Sequence, residues 1–321
     1  MKIGLIGDLH LNSTAPRKRL DEDYLETQLA KLDQAFMIFT DQDCDIVLQP
    51  GDWFDTQTVA KRVISESIRQ VLRSGYGEHT YAVWGQHDVS GHSEATVPNS
   101  PLTVLEASQV LTVLGSEPVY PEGAHGWHHS GSQADGAPVA LYGAPFGMPI
   151  PKPVNKDEYN ILVGHIMVGD KNLYPDQHIT MSKRFLKNNA DFDLIFLGDY
   201  HYRFAAHTGN RSIINMGAMM RKTVAEMDKA LEPACGVFDT ETNELDTFKL
   251  NVAPVAQVLD LTPEIAKTDN SDVLASLVDK LHDSKTVLCD WKRTLTEVLD
   301  ELKANEGSRE WIDKALEEVN G

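Results

Sequence analysis

Positive charge and cysteine are both scarce in this sequence of 321 residues. Only 29 basic side chains stand against 48 acidic ones, which gives a formal net charge of -19. Such a chain lacks the basic surface with which proteins coat nucleic acid, so any phosphate chemistry needs positive charge from another source. The three cysteines, Cys44, Cys235 and Cys289, are isolated from one another, which argues against disulfides and against a thiolate zinc site.

Long apolar runs are missing as well. No stretch approaches the ~20 uninterrupted apolar residues that a transmembrane helix needs. Near the start of the chain, Asp8 interrupts the apolar segment before a signal-peptide core could form. We therefore expect no membrane association and a cytoplasmic location. The length is sufficient for one large domain with a smaller appendage.

Short apolar runs alternate with helical patterns up to about residue 250, which predicts an α/β layered fold. The expected strands are residues 2–7, 45–49, 81–84, 139–142, 160–163 and 193–197, followed by a hairpin over 236–248. Past Pro254 the apolar spacing becomes helical throughout. We therefore divide the chain into a main domain, residues 1–253, and a small helical module, residues 254–321.

Acids and histidines follow nearly every predicted core strand. The segments concerned are Asp8-Leu9-His10, Gly51-Asp52-Trp53-Phe54-Asp55, Gly85-Gln86-His87-Asp88, Gly164-His165 and Gly198-Asp199-Tyr200-His201. Because the carboxyl ends of such strands lie along one edge of a sheet, these side chains are expected to converge there. Each segment alone is more typical of a turn or a helix cap, but five in one chain favour a binding site.

The chemistry of these side chains indicates metal binding. Carboxylate, imidazole and amide ligands without thiolate suit Mn²⁺, Fe²⁺, Mg²⁺ or Zn²⁺ in a site of two ions.

The order of these motifs resembles that of the calcineurin-like metallophosphoesterases, and most of all their SbcD-type nuclease subunits from DNA repair and phage recombination. Residues 51–56 are similar to the second motif of that branch, and residues 213–221 occupy the place of its strand and turn after the last metal motif. The resemblance covers about residues 1–250. It implies a layered α/β/β/α sandwich, and a bacterial or phage-infected host cell as the location.

The resemblance also implies a role for each motif residue. The ligands of one ion would be Asp8, His10, Asp52 and His201. The ligands of the other would be Asp52, Gln86, His165 and Asp199, so that Asp52 would bridge the two ions. His87 would be the general acid that protonates the leaving oxygen, and Asp88 would orient its ring.

Two positions depart from the family pattern. The family usually has Asn where Gln86 stands and His where Asp199 stands. A carboxylate at the second position is a harder ligand, which favours manganese or magnesium over zinc. We expect two Mn²⁺ ions, with Mg²⁺ or Fe²⁺ as alternatives. The same departures are compatible with a weakened second site.

The resemblance implies a metal-dependent phosphodiesterase that acts on DNA ends, in complex with an SbcC-like coiled-coil ATPase. Residues 254–321 would cap the domain or dock the partner, and a homodimer is compatible with the resemblance. The candidate substrate contacts are Asp55, Arg17, Arg19 and Arg221. Two alternatives stay open: a small-molecule phosphodiesterase or phosphatase of the same superfamily, and a non-catalytic scaffold with an impaired second metal site.

Overall fold

The computed structural model describes residues 1–122, 125–126, 136–173 and 179–262. Within these residues the strands are β1 (Lys2–Leu5), β2 (Ile46–Gln49), β3 (Thr80–Ala82), β4 (Thr112–Val113), β5 (His125–Gly126), β6 (Ala137–Ala144), β7 (Tyr159–His165), β8 (Val168–Gly169), β9 (Thr180–Met181), β10 (Leu194–Gly198), β11 (Phe204–Thr208), β12 (Arg211–Asn215), β13 (Ala234–Asp239) and β14 (Glu244–Lys249). The α-helices are α1 (Tyr24–Asp41), α2 (Lys61–Ser74), α3 (Pro101–Ala107), α4 (Ser182–Asn188), α5 (Glu226–Lys229) and α6 (Val255–Val258).

Most of these strands form two mixed sheets. The first has the order β14-β13-β1-β2-β3-β4, and the second has the order β11-β12-β10-β7-β6-β5. Strands β1 to β4 are mutually parallel, as are β6, β7, β10 and β12. Strands β13 and β14 form an antiparallel hairpin, and β13 pairs with β1 on the side opposite β2.

The two sheets pack face to face, with helices on both outer faces. Apolar side chains of both sheets share one buried cluster, in which Leu48 and Tyr81 of the first sheet lie with Leu141 and Phe196 of the second. Helices α1, α2 and α3 contribute to a second cluster over the first sheet, and α4 contributes to a third over the second sheet. The expected layered α/β/β/α sandwich is confirmed.

Helix boundaries follow local chemistry. The Asp23 side chain accepts a hydrogen bond from the backbone N–H of Glu26 and so caps the first turn of α1. Gly75 ends α2 in the left-handed conformation, with φ 79°. After β6, residues 145–153 contain no helix or strand, as their proline and glycine content predicts.

The predicted helical module falls almost entirely outside the described residues, so its capping or docking role stays a prediction. The first compact unit of the chain comprises Met1–Leu261. Near its end, the Leu20 amide donates to the Val258 carbonyl oxygen at 3.1 Å, which holds α6 against the segment before α1. In the described part of the chain, no helix is both long and apolar enough to span a bilayer.

The strand ends of the two sheets meet at one edge. The Asp199 amide, after β10, donates to Asp8 Oδ2, after β1, at 3.0 Å. The His165 ring at the end of β7 contacts the Pro50 carbonyl oxygen after β2, with Nδ1 at 2.7 Å. The fold therefore brings the acids and histidines of both sheets into one place.

Candidate metal centre

Three of the predicted ligands have an unusual backbone conformation. His10, Asp52 and Asp199 have positive φ angles of 49°, 53° and 82°. This region is unfavourable for residues other than glycine and is concentrated at functional sites. The loops after β1 and β2 hold one another in place, because the His10 amide donates to the Asp52 carbonyl oxygen at 2.9 Å. The backbone strain thus directs these side chains toward a common centre.

Glycines admit the ligands at close range. A Cβ atom on Gly85 would lie 2.0 Å from Asp52 Oδ1, and one on Gly198 would lie 2.4 Å from Asp8 Oδ1. Real Cβ atoms do not approach other atoms so closely, so neither position accepts a side chain without displacing a carboxylate. The glycines that precede the motifs are therefore part of the site.

Three of the four side chains predicted for the first ion site lie close together. Ligand atoms of Asp8, His10 and His201 all lie within 4.8 Å of one another. The Nε2 atoms of His10 and His201 are 3.1 Å apart, and His201 Nε2 lies 3.7 Å from Asp8 Oδ2. Neighbouring ligands of an octahedral ion at ~2.1 Å would be about 3 Å apart. These three side chains are arranged as ligands of one divalent ion.

Asp52 lies between the two predicted ion sites and is completely buried. Its Oδ2 atom makes no hydrogen bond, yet it lies 3.3 Å from His165 Nε2, 3.7 Å from His10 Nε2 and 3.9 Å from His87 Nε2. Burial would raise the pKa of Asp52, but the imidazoles of His165, His10 and His87 hold that pKa well below its usual range. An ionised oxygen in this position suits a ligand shared by two cations.

The second predicted ion site contains Gln86, His165 and Asp199. Asp199 Oδ1 lies 3.2 Å from Gln86 Nε2 and 3.8 Å from His165 Nε2. The Gln86 amide oxygen is buried and makes no hydrogen bond, which is costly for a polar atom unless another group engages it. Carboxylate, amide and imidazole donors converge here, so the residues fit a second divalent ion despite the two departures from the family pattern.

The histidines of the first ion site are held in the neutral form that binds metal. Burial lowers the pKa of His10 to about 3, and the nearby Lys222 ammonium acts in the same direction. Burial likewise lowers the pKa of His201 to about 4, again with a contribution from Lys222. Neither ring therefore needs to lose a proton before it coordinates an ion at neutral pH.

His87 is partly exposed, with 39% of its side chain accessible, and so is the predicted ligand His201, at 35%. Its Nδ1 atom lies 2.8 Å from the Asp55 carbonyl oxygen, and its backbone amide donates to Asp52 Oδ1 at 2.9 Å. A carbonyl oxygen only accepts, so Nδ1 carries the proton, and Nε2 lies 3.9 Å from Asp52 Oδ2 in the ligand cluster. This placement is compatible with a role in protonating a leaving group.

Asp88 is placed differently from the prediction that it orients the His87 ring. Its buried carboxylate accepts hydrogen bonds from three backbone amides, those of Trp53, Phe54 and Gly85, at 3.3, 2.9 and 2.9 Å. The Asp55 carbonyl oxygen holds the ring instead. Burial raises the pKa of Asp88 to about 7, and the Asp52 carboxylate acts in the same direction. Asp88 therefore fixes the loops that carry Asp52 and Gln86.

The sequence did not predict that the Asp55 carboxylate lies behind the His10 ring. Asp55 Oδ1 lies 3.2 Å from His10 Nδ1, and the same oxygen accepts a hydrogen bond from Lys222 Nζ. A carboxylate behind a metal-binding imidazole fixes the ring and raises its basicity. Asp55, predicted as a substrate contact, is thus placed behind a ligand. The position of Lys222 directly after the segment 213–221 marks it as a cation near the site, but not as the partner of Asp55.

Of the three predicted arginine contacts, Arg19 and Arg221 are engaged by groups other than the ligands. Arg17 is exposed. Arg19 is buried and pairs with Asp21, with Nε and Nη2 each 2.7 Å from a carboxylate oxygen. Arg221 donates from Nε to the Leu231 carbonyl oxygen at 2.8 Å. Arg19 and Arg221 line a cavity that none of the predicted metal ligands lines.

Comparison with known proteins agrees with this geometry. Residues 1–203 match the family model of the calcineurin-like phosphoesterases. No curated protein sequence matches the chain.

Three solved structures are similar to this chain at low sequence identity. A dimetal phosphatase from Danio rerio is 12% identical, with a TM-score of 0.50, over 79% of this chain and 97% of that chain. An archaeal phosphodiesterase is 16% identical, with a TM-score of 0.39, over 78% and 100% of the two chains. A 5'-nucleotidase from Candida albicans is 13% identical, with a TM-score of 0.44; the match covers 94% of this chain and 58% of the nucleotidase.

We predict that Gln86→Leu lowers the number of bound Mn²⁺ ions from two to one per chain, because the substitution removes a ligand of the second site alone. Elemental analysis after equilibrium dialysis measures the count. Gln257→Leu makes the same chemical change at an exposed position and should leave two ions bound. Two ions in the Gln86 variant would show that Gln86 is no ligand, and fewer than two in the unaltered chain would favour the non-catalytic scaffold.

We also predict that the affinity of the first ion site for Mn²⁺ changes little between pH 7.5 and pH 5.5. His10 and His201 stay neutral over this range because burial lowers their pKa values to about 3 and about 4. Two histidines with ordinary pKa values would instead cost about 100-fold in affinity over the same range. Titration followed by electron paramagnetic resonance distinguishes the two outcomes.

Proposed function

The chain belongs to the calcineurin-like phosphoesterase family and is a metal-dependent phosphoesterase, and from this premise we propose that it hydrolyses phosphodiesters through a two-ion centre. The observation that supports the proposal best is the position of His87. Its partly exposed ring stands beside the buried ligand cluster, with Nε2 3.9 Å from Asp52 Oδ2. A phosphodiester held at the centre would lie within reach of this ring.

Two divalent ions held by the ligand set would activate a water molecule and neutralise the phosphate oxygens. Asp52 would place the two ions side by side, and Asp8 with Asp199 would offset part of their charge. The buried ligands keep bulk water away from one side of the centre. The open side, where His87 lies, is then the side from which a phosphodiester enters.

His87 would supply the proton for the leaving oxygen. Because Nδ1 donates to the Asp55 carbonyl oxygen, the neutral ring has a lone pair at Nε2, and only the imidazolium form donates from that atom. The carbonyl contact stabilises the Nδ1 proton in both forms and fixes the plane of the ring. A positioned general acid of this kind contributes about 10²- to 10⁴-fold to the rate.

Small soluble phosphodiesters are the proposed substrates of the isolated chain. A net charge of -19 repels an extended polyanion, whereas a small phosphodiester with one negative charge is repelled far less. The nearby cation Lys222 is already engaged by Asp55, so it adds little attraction for a second phosphate. Cyclic nucleotides and bis(p-nitrophenyl) phosphate are suitable test substrates.

We predict that His87→Asn lowers kcat about 10²- to 10⁴-fold on a cyclic nucleotide, whose leaving oxygen needs a proton. The same variant should lose little activity on bis(p-nitrophenyl) phosphate, because that leaving group departs as a stable phenolate. Steady-state kinetics with Mn²⁺ measure both rates. His207→Asn, at an exposed position, is the matched control and should leave both rates unchanged. Equal losses on the two substrates would refute the general-acid role.

A second candidate function is a nuclease subunit for DNA ends. The resemblance of residues 51–56 and 213–221 to the SbcD-type branch favours it. In this function, an SbcC-like ATPase would bind the DNA. In this case residues 254–321 would dock the partner, since amphipathic helices bind in apolar grooves.

For this candidate we predict that the isolated chain binds DNA weakly and cleaves it slowly in Mn²⁺, and that an SbcC-like ATPase accelerates cleavage of linear DNA. Cleavage assays on single- and double-stranded ends, with His87→Asn as control, measure the effect. Strong turnover of small phosphodiesters without any cleavage of DNA in the presence of the ATPase would eliminate the nuclease and leave the small-molecule function.

A further inference from the structure

In the described part of the chain, the buried ammonium group of Lys31 forms no ion pair with a carboxylate. It lies on α1 with 7% of the residue exposed. Within the described residues, its hydrogen-bond acceptor is the Met220 thioether sulfur, 3.1 Å from Nζ, and a thioether is a weak and neutral acceptor. Burying a cation without an anionic partner is unfavourable. Such an arrangement indicates that a ligand completes the environment of Lys31.

A second cation, the partly exposed Arg221, lines the same cavity. Arg221 donates to the carbonyl oxygens of Leu231 and Ala253, at 2.8 and 3.2 Å, and forms no ion pair with a carboxylate in the described part of the chain. Lys31 and Arg221 line one cavity, together with Arg19. Neither Lys31 nor Arg221 therefore forms an ion pair with a carboxylate among the described residues, although the net charge of the chain is -19.

Two carboxylates, Asp21 and Asp33, also line this cavity, and each is engaged by another group. Asp21 pairs with Arg19, exposed Asp33 accepts a hydrogen bond from Gln70, and Glu232 pairs with Lys249. Burial lowers the pKa of Lys31 to about 8; the Arg19 and Arg221 charges act in the same direction, and the Asp21 carboxylate opposes them. An ammonium with that pKa is still mostly protonated at neutral pH.

The cavity has the size of a small-molecule site. Its volume is about 680 Å³, within the range of roughly 300–1,000 Å³ that is common for such sites. Ala30, Met37, Val252 and Val258 provide apolar walls. A pair of cations beside apolar walls suits a ligand in which a dianionic group is attached to a small organic moiety. A phosphate monoester carries about -1.5 to -2 charges at neutral pH.

We propose that this cavity binds the phosphate group of a small molecule, either free phosphate or a phosphate monoester, through Lys31 and Arg221. The site is distinct from the metal centre, since none of the predicted metal ligands lines it. The proposal does not depend on the phosphodiesterase function. The backbone nevertheless links the two places, because the Met219 amide donates to the Asp8 carbonyl oxygen at 3.0 Å.

Labelling with pyridoxal 5'-phosphate tests the proposal on the metal-loaded full chain. The probe carries a phosphate group and an aldehyde, which condenses with an amine with loss of water; borohydride then reduces the imine to a secondary amine. Peptide mapping by mass spectrometry reports each lysine separately, so phosphate bound at the metal centre does not interfere. We expect Lys31 to be labelled about tenfold or more faster than the exposed Lys183 at pH 7.5.

Competition then tests the anion site itself. Adenosine 5'-monophosphate and inorganic phosphate should slow the labelling of Lys31 but not of Lys183, whereas acetate should protect neither. Stronger protection by the monoester would identify the organic phosphate as the ligand, and equal protection would identify free phosphate. Labelling of Lys31 that neither phosphate slows, or labelling no faster than that of Lys183, would overturn the proposal.

Arg221→Gln removes the second cation and should weaken protection by both phosphates, while Arg73→Gln, at an exposed position on α2, should not. Circular dichroism shows whether each variant is folded. Because the competition experiment uses the unaltered chain, the proposal remains testable even if Arg221→Gln does not fold.

Discussion

The buried carboxylate of Asp52 is the group on which the rest of the site depends. It is inaccessible to solvent, and three imidazole nitrogens surround its Oδ2 atom at 3.3 to 3.9 Å. A buried charge costs several kcal/mol unless counter-charges compensate it, and each strained non-glycine backbone adds about 1–3 kcal/mol. These residues are brought together because parallel strands from both sheets end at the same edge. Divalent cations between the carboxylates would offset these costs.

Much of this site could be predicted from the sequence, for a physical reason. Each motif begins where an apolar strand ends, and the strands at 46–49, 159–165 and 194–198 lie close to their expected places. Glycines before the acids are needed because a Cβ there would collide with a carboxylate, as at Gly85. The positions of these motifs at the strand ends are therefore sufficient to predict that the side chains converge.

Other features depend on side-chain directions that sequence spacing does not determine. Asp88 is adjacent to His87, but its carboxylate turns toward backbone amides, and the Asp55 carbonyl oxygen holds the His87 ring instead. Lys222 is far from His10 in sequence and reaches it through Asp55. The cavity around Lys31 arises from segments that meet only in the folded chain. Most of the helical module falls in the part of the chain that the structure does not describe.

The central claim is that Asp52 bridges two divalent ions. Electron paramagnetic resonance of the chain loaded with two Mn²⁺ ions tests it most directly, because ions that share a carboxylate are close enough for spin coupling. The account predicts the spectrum of a coupled pair in the unaltered chain and only uncoupled Mn²⁺ in Asp52→Asn. Two bound but uncoupled ions in the unaltered chain, or a coupled pair that survives the substitution, would contradict it.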